Sequence, residues 1–255
     1  MPIVVKSSRE LELMRQAGRI VAQVLALMSD QIQPGVTTAE LDAAAEALIR
    51  KLGATPSFKG YHGFPASICA SVNVQVVHGI PSNKCVLHEG DLISVDVGAI
   101  YKGFHGDGAM TYCVGGVPTP EQQRLMDVTQ ESLVAGIAQA RNGNRLWDII
   151  RAVETTTRTA GYDVLHGFQG HGIGREMHED PDIPNSLSDS RGRPPNLPLR
   201  AGMTLAIEPM VVIGSGEPKV LSDGWTVVSA DGTLSAHFEH TIAITDGEAE
   251  ILTRL

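Results

Sequence analysis

The fold is constrained most by one stretch, residues 91–111, which reads DLISVDVGAIYKGFHGDGAMT. Before Tyr101, buried-type apolar residues recur at every second position and β-branched residues are common. An extended pattern resumes after Gly103. Lys102-Gly103 can supply a two-residue turn between the two segments, because glycine readily adopts a positive φ. The pattern therefore predicts a β-hairpin with two long strands.

Each arm of this hairpin carries one aspartate, Asp96 in the first strand and Asp107 in the second. A loop at Tyr101-Lys102 places the two directly opposite each other, and a loop at Lys102-Gly103 offsets them by two residues. Both registers leave the carboxylates on the same face, because side chains alternate with a period of two. Two like charges this close repel each other unless a cation lies between them. One dication or a pair of them is the natural candidate. An exposed edge hairpin with two solvated aspartates is the alternative, and the apolar neighbours of Asp96 at positions 93, 95, 97 and 99 argue against it because they are typical of a strand in a covered sheet.

The composition excludes several classes of protein. The chain has 255 residues, 42% of them hydrophobic and 19% charged, which is typical of a globular protein with a full core. A net charge of −9 without a basic stripe argues against a nucleic-acid binder. Three cysteines without a CxxC spacing argue against a disulfide framework and a structural zinc module. The sequence shows neither the apolar core of a signal peptide nor an apolar run of about 18 residues, so we expect a cytoplasmic protein without membrane contact.

The second half of the chain echoes the first. Three pairs of segments match in the same order: residues 34–53 with 142–161, HGI at 78–80 with HGI at 171–173, and HEGDLISVD at 88–96 with RAGMTLAIE at 200–208. We predict a single domain, residues 1–255, that contains an internal duplication of residues 8–115 and 119–255. Two such halves can bury their carboxylate strands centrally and keep their helices outside, which predicts an α+β fold with pseudo-twofold symmetry.

Helix start signals predict four helices in these halves. Capping boxes at residues 7–10 and 37–40, and Thr119 followed by Pro120 and Gln122, mark three of the starts. The predicted helices end near Ile32, Gly53, Ala140 and Thr159. A loop rich in Pro, Ser and Arg is predicted over residues 181–200, as a variable connection rather than a flap beside the site.

Two glutamates of the second half lie in apolar, strand-like segments: Glu208 in MTLAIEPMVV and Glu239 in SAHFEHTIAIT. One such residue alone can be a satisfied structural acid. Together with the two aspartates of the hairpin they form a set of four carboxylates, which cannot share a pocket as anions without cations. His171, in GFQGHGIGREMHEDP, adds one imidazole between flexible glycines. An oxygen-rich set with one nitrogen suits Mn²⁺, Fe²⁺, Co²⁺ or Zn²⁺ and is ample for two ions.

These segments resemble the motifs of type I methionine aminopeptidases of the short form, from about Ser8 to Leu255. The motifs are SVDVG around Asp96, GFHGD around Asp107, GHGIG around His171, AIEPM around Glu208 and HFEHT around Glu239. The resemblance implies the pita-bread fold of the M24 peptidases. It also implies that these five residues bind two divalent metal ions (Co, Mn, Fe or Zn), with Asp107 and Glu239 bridging them.

The resemblance implies roles for further residues. His78, in VVHGIP, would contact the substrate near the scissile bond, and His178, in REMHEDP, would hydrogen-bond the scissile carbonyl. Glu208 would carry a proton to the leaving amine after attack by a metal-bridged hydroxide. The implied methionine pocket consists of Tyr61, Phe64, Cys69 and Trp225, with Phe58 and Met177 near its rim. No role is assigned to the other histidines: His62, His88, His105, His166, His237 and His240.

The predicted function is the metal-dependent removal of the initiator methionine from nascent polypeptides whose second residue is small. Nascent N-termini are the expected partners, a transient association with the ribosome is left open, and nothing demands more than a monomer. One rival is an Xaa-Pro peptidase of the same fold, whose members usually carry an additional N-terminal domain. The other is a non-catalytic binding protein, which the loss of ligands would indicate; all five ligands are present.

Overall fold

The computed structural model describes residues 3–188 and 193–255. In chain order, its helices and strands are α1 (Ser8–Gln31), α2 (Thr38–Lys51), β1 (Thr55–Pro56), β2 (Ile68–Val72), β3 (Gln75–Val77), β4 (Leu92–Tyr101), β5 (Phe104–Cys113), α3 (Pro120–Gln139), α4 (Leu146–Thr159), β6 (Asp163–Val164), β7 (Gln169–Gly172), β8 (Glu179–Pro184), β9 (Thr204–Ile207), β10 (Met210–Val212), β11 (Pro218–Val220), β12 (Val227–Ser229), β13 (Ser235–His237), β14 (His240–Ala243) and β15 (Glu250–Ile251). None of the helices among these residues has the length and apolar character that a bilayer crossing requires.

The predicted helix starts are confirmed. The Ser7 and Thr37 side chains accept hydrogen bonds from the amides of the residues three positions on, and glutamates at those positions accept in return. Thr119 and Gln122 form the same reciprocal pair at the start of α3. Each arrangement satisfies amides that the first turn of a helix leaves without partners.

The hairpin β4–β5 adopts one of the two predicted registers. Tyr101 faces Phe104, so the loop is Lys102-Gly103, and both loop residues have the positive φ values, 48° and 81°, that this turn needs. Asp96 therefore faces Ala109, and Asp107 faces Gly98. The two aspartates share a face of the hairpin with an offset of two residues.

In the described part of the chain all strand pairs are antiparallel, and the strands group into four small sheets. Strand β4 lies between β5 on one side and the short strands β1 and β2 on the other. The largest other sheet has the order β15-β14-β9-β7-β8, and the remaining two have the orders β13-β10-β6 and β11-β12-β3. Helices α1 and α2 pack on the first of these sheets, whereas α3 and α4 pack on each other and on the strands of the second half.

Glu208 and Glu239 lie at strand breaks, so their predicted placement within strands is wrong. Ile207 faces His240 and Met210 faces His237, and the register is therefore the same on both sides of the break. Glu208 consequently falls opposite Glu239. Proline at the residue after Glu208 has no N–H group to continue the ladder, which explains the interruption.

Two buried threonines join the halves of the chain. The Thr241 hydroxyl of β14 donates to the Asp107 carbonyl at 2.8 Å and accepts from the Asp107 amide at 3.0 Å. The Thr111 hydroxyl of β5 forms the same pair of bonds with the backbone of His237, at 3.0 and 2.9 Å. The Glu239 amide donates to the Ala109 carbonyl at 2.9 Å. These bonds place the acidic residues of the two halves beside each other.

Helix α1 contacts the hairpin through glycines. A Cβ atom on Gly106 of β5 would lie 2.7 Å from the Gly18 nitrogen, and one on Gly18 would lie 2.3 Å from the Leu252 carbonyl oxygen. The close contact between backbones therefore requires that both positions lack a side chain. It also fixes the position of the strand that carries Asp107.

We expect Gly106→Ala to lower the free energy of unfolding by about 1–3 kcal/mol, because the added methyl group meets backbone atoms that cannot move independently. Gly116→Ala is the matched control, since the atom nearest to its Cβ is a Glu89 side-chain atom at an ordinary 3.6 Å. Urea unfolding of both variants measures the difference. Equal stabilities of the two variants would contradict this account of the helix–strand contact.

The predicted loop over residues 181–200 is partly wrong. Its first four residues belong to β8, the edge strand that pairs with β7, and Pro198 forms an isolated bridge with Arg145. Residues 189–192 lie outside the described part of the chain. The internal duplication stays a prediction, although each half does present two helices before the segments that contain its acidic site residues.

Candidate metal centre and adjoining cavity

One cavity of about 260 Å³ brings together nearly all the residues singled out in the sequence. The five predicted metal ligands lie at one end, and the predicted methionine pocket forms the other. The complete lining is Phe58, Tyr61, His62, Phe64, Cys69, His78, Asp96, Asp107, His171, Met177, His178, Glu208, Trp225 and Glu239. Cys69 faces Asp96 across neighbouring strands, so that the apolar wall and the acidic end are built on the same sheet.

The acidic end contains two sets of side chains whose ligand atoms lie close enough to bind one ion each. Asp107, His171 and Glu239 form the first set, and Glu208, His237 and Glu239 form the second; within each set the ligand atoms lie within 4.8 Å of one another. Glu239 belongs to both. Asp96 lies outside these two sets but lines the same cavity beside Asp107.

The His171 ring connects the two sets. Its Nε2 atom lies 3.6 Å from a Glu208 carboxylate oxygen and 3.9 Å from an Asp107 carboxylate oxygen. Its Nδ1 atom lies 2.8 Å from the Gly172 carbonyl oxygen, which can only accept a hydrogen bond. The proton of the neutral ring is therefore on Nδ1, and Nε2 keeps the lone pair that a metal ligand needs.

Unpartnered atoms show that this end of the cavity fits cations. Four buried side-chain atoms here have no hydrogen-bond partner among the described residues: Asp96 Oδ1, Asp107 Oδ1, Glu239 Oε1 and His237 Nε2. Buried polar atoms without partners are rare in folded proteins, because each loses its hydration without compensation. Coordination to divalent cations would satisfy carboxylate oxygens and an imidazole lone pair alike.

Burial is the first cause of the pKa shifts at the acidic end. It raises the pKa of all four carboxyl groups above the ordinary range, and neighbouring carboxylate charges raise those of Asp107, Glu208 and Glu239 further. It lowers the pKa of His171 and of His237 to about 3. Neutral imidazoles and crowded carboxylates are both good metal ligands, and the positive charge of a bound cation would offset the repulsion between the carboxylates.

The other end of the cavity is apolar. Phe58, Phe64, Cys69 and Met177 are buried and pack together, with Tyr61 and Trp225 partly buried against them. The Phe64 and Trp225 rings meet edge to face with their centroids 5.1 Å apart. Aromatic edges and a thiol are good neighbours for a thioether side chain. The predicted pocket residues thus do form one surface, and Phe58 and Met177 belong to its core rather than to a loose rim.

His78 and His178 reach the cavity from two different turns. His78 follows β3 with a φ of 58°, an unusual value for a residue with a side chain, and its ring contacts the Trp225 ring edge to face at 6.4 Å. Burial lowers the pKa of His78 to about 4. The exposed His178 ring lies against His171, with centroids 4.2 Å apart, and its Nδ1 atom lies 2.8 Å from the Tyr61 hydroxyl.

A buried ion pair holds the turn that carries Met177 and His178. The Lys6 ammonium group binds the Glu179 carboxylate, and their side chains are only 2% and 10% exposed. The same carboxylate accepts hydrogen bonds from the amides of Arg175 and Glu176, at 2.9 and 3.3 Å. The segment before α1 is therefore connected to the position of His178.

Sequence reasoning missed two histidines of the site, which were left without a role. His237 lies at the second set of ligands, with Nε2 3.6 Å from a Glu208 carboxylate oxygen, and His62 lines the mouth of the cavity beside Tyr61. The position of His237 two residues before Glu239 was the available signal, because strand residues two apart share a face.

The comparisons with known proteins agree with this geometry. The model of metallopeptidase family M24 matches residues 12–246. The chain is 52% identical over 252 residues to a methionine aminopeptidase of Clostridium acetobutylicum, with 98% of each chain covered. It superposes on a methionine aminopeptidase structure from Thermotoga maritima with a TM-score of 0.94 and 44% identity, covering 99% of this chain and 100% of that one.

The chain belongs to metallopeptidase family M24. A prolidase from Pyrococcus furiosus shares the fold, with a TM-score of 0.80 and 24% identity over 99% of this chain and 66% of that one. The predicted α+β pita-bread fold is confirmed, as is the resemblance on which the sequence-based prediction of a metallopeptidase rests.

Proposed function

We propose that the protein is a methionine aminopeptidase that removes the initiator methionine from nascent polypeptides. The observation that carries this proposal is the continuity of the cavity: an apolar end lined by aromatic rings and Cys69 leads directly to a cluster of buried and partly buried carboxylates. A methionine side chain in the apolar end would leave its α-amino group and scissile carbonyl beside that cluster. The names of the relatives support the same activity.

We propose that Asp96, Asp107, His171, Glu208 and Glu239 hold two divalent metal ions, with Asp107 and Glu239 shared between them. Bound there, the ions would supply a Lewis acid and an activated water. Co²⁺, Mn²⁺, Fe²⁺ and Zn²⁺ all accept this donor set. His237 offers a further nitrogen ligand atom close to Glu208.

The side chains around the ions then have separate tasks. Glu208, which faces Glu239 across the strand break, would accept a proton from the attacking water and deliver it to the leaving amine. His178 would donate a hydrogen bond to the oxygen that becomes negatively charged. His78, kept neutral by burial, would orient the peptide nitrogen. The apolar end would take the methionine side chain, and we expect the second residue of the substrate to be small, because the site must admit the rest of the chain beyond a closed pocket.

A peptide assay with the metal-stripped protein tests the proposal. We expect free methionine from a Met-Gly-X peptide after addition of Mn²⁺ or Co²⁺, little from a Met-Lys-X peptide, and none from either without metal. Release from an Xaa-Pro peptide alone would instead assign the protein to the prolidase-like branch of the fold. No release from any peptide with any of the metals would overturn the proposal in favour of a binding protein.

We also propose a cytoplasmic location and a monomeric protein, because nascent N-termini emerge in that compartment and all the proposed site residues come from one chain. Transient association with the ribosome is consistent with this substrate, and co-sedimentation of the protein with ribosomes that carry nascent chains tests it. Gel filtration tests the monomer.

A further inference from the structure

The hydroxyl group of Tyr61 has a contact that a residue of an apolar pocket does not need. It lies 2.8 Å from Nδ1 of His178, a residue 117 positions away in the chain. The two rings are stacked, with centroids 5.4 Å apart and an angle of 29° between their planes. The contact lies at the junction between the apolar end of the cavity and the metal centre.

The backbone around Tyr61 holds this hydroxyl in place. The Tyr61 amide donates to the Phe58 carbonyl at 2.9 Å, and the Tyr61 carbonyl accepts from the Phe64 amide at 2.9 Å. Gly60, with a φ of 88°, allows the sharp turn that precedes the ring. Preorganisation of this kind is expected of a residue that positions another side chain.

The neighbouring histidine shows how a partner at Nδ1 decides which nitrogen carries the proton. A carbonyl oxygen at Nδ1 of His171 requires a proton there and leaves Nε2 as a lone-pair donor for a metal ion. Nδ1 of His178 faces a phenolic hydroxyl instead, and a phenol is a better hydrogen-bond donor than acceptor because its oxygen lone pairs are delocalised into the ring. Burial raises the pKa of Tyr61, so its hydroxyl keeps the proton.

We propose that the Tyr61 hydroxyl donates a hydrogen bond to Nδ1 of His178 and thereby fixes the proton of the neutral imidazole on Nε2. The Nε2–H group then donates a hydrogen bond to the peptide carbonyl. The two adjacent histidines then have opposite tautomers: His171 offers a lone pair at Nε2, and His178 offers a proton there. The inference rests on the proposed function and makes Tyr61 a positioning residue for His178 in addition to a wall of the pocket.

Kinetics of Tyr61→Phe test the contribution of the hydroxyl. The ring remains, so KM for a Met-Gly-X peptide should stay within about twofold, whereas kcat should fall about fivefold to tenfold, as expected for one lost hydrogen bond. Tyr112→Phe is the matched control, because the Tyr112 hydroxyl donates to the Leu25 carbonyl at 2.8 Å, away from the cavity. In a His178→Ala background, Tyr61→Phe should have no further effect on kcat; an unchanged loss there would overturn the inference.

The tautomer itself is visible by nitrogen NMR, without any need for turnover. The protein is labelled with ¹⁵N-histidine, loaded with diamagnetic Zn²⁺ and measured at about pH 8, where an ordinary imidazole is neutral. His178→Gln assigns the His178 signals among the nine histidines. We expect a protonated Nε2 and a hydrogen-bonded, unprotonated Nδ1, with the Nδ1 signal shifted in Tyr61→Phe and unchanged in Tyr112→Phe.

An unprotonated Nε2 in the wild-type protein, or identical His178 signals in the wild-type protein and Tyr61→Phe, would overturn the inference. The result is distinguishable from a failure of the proposed function. If the protein shows the expected tautomer but releases no methionine, the proposed function is wrong and the role of Tyr61 stands. If it releases methionine with the other tautomer, the proposed function stands and the role of Tyr61 is wrong.

Discussion

Replacing Glu239 with glutamine is expected to abolish metal-dependent release of methionine and to weaken Mn²⁺ binding by at least about 100-fold. Loss of a side chain that merely supports a ligand already reduces metal affinity about 10- to 100-fold, and Glu239 belongs to both sets of ligand atoms. Its side chain is buried, and one of its oxygens has no partner among the described residues. Glutamine keeps the shape of the side chain but removes the negative charge that a ligand of both proposed ions would supply.

The same substitution should have the opposite effect on the stability of the metal-free protein. Glu239 faces Glu208 and lies near Asp107, and burial, followed by the neighbouring carboxylate charges, raises the pKa of each of these groups. Removing one member of a crowded set of buried carboxylates relieves this repulsion. Metal-free Glu239→Gln should therefore unfold at a higher temperature than the metal-free wild-type protein, although added metal stabilises only the latter.

Thermal unfolding with and without Mn²⁺, together with calorimetric titration of the metal, measures both effects. Glu248→Gln is the matched control, because the Glu248 side chain is 89% exposed and lies outside the cavity. We expect this control to bind metal and to release methionine as the wild-type protein does. Full metal affinity and turnover in Glu239→Gln would refute the assignment of the metal centre.

Local signals in the sequence were sufficient for the parts of the fold whose stability is local. The capping boxes before α1 and α2 predicted both helix starts, because a cap depends only on residues three positions apart. The hairpin pattern predicted β4, β5 and their shared acidic face, but it left two registers open. The structure contains the register whose loop, Lys102-Gly103, has positive φ at both positions.

Non-local features of the site could not be predicted from the chain alone. The opposed positions of Glu208 and Glu239 depend on a strand pairing that continues across a proline break, and such pairing joins residues far apart in sequence. The contact of the His237 ring with Glu208 depends on the same pairing, although the spacing of two residues between His237 and Glu239 was a local signal for its side of the strand. The predicted role of His178 followed from resemblance to a family and that of Asp96 from the hairpin pattern as well, whereas the structure adds the contacts that surround both residues.

Replacing His178 with alanine is expected to lower kcat for a Met-Gly-X peptide about 100- to 1,000-fold, the effect of removing one donor to a developing oxyanion. The ring is partly held by Tyr61 and lies beside His171, but it is not needed for either set of ligand atoms. Metal affinity should therefore remain close to that of the wild-type protein, and KM should change little, because the donor acts mainly on the transition state.

His88→Ala is the control, since the His88 side chain is 78% exposed and lies outside the cavity. Steady-state kinetics and metal titration of both variants give the comparison. A loss of metal together with activity in His178→Ala would mean that the ring supports the metal centre rather than the carbonyl oxygen. The loss in His178→Ala should also exceed that in Tyr61→Phe by at least about tenfold, because the first removes the donor and the second only the bond that orients it.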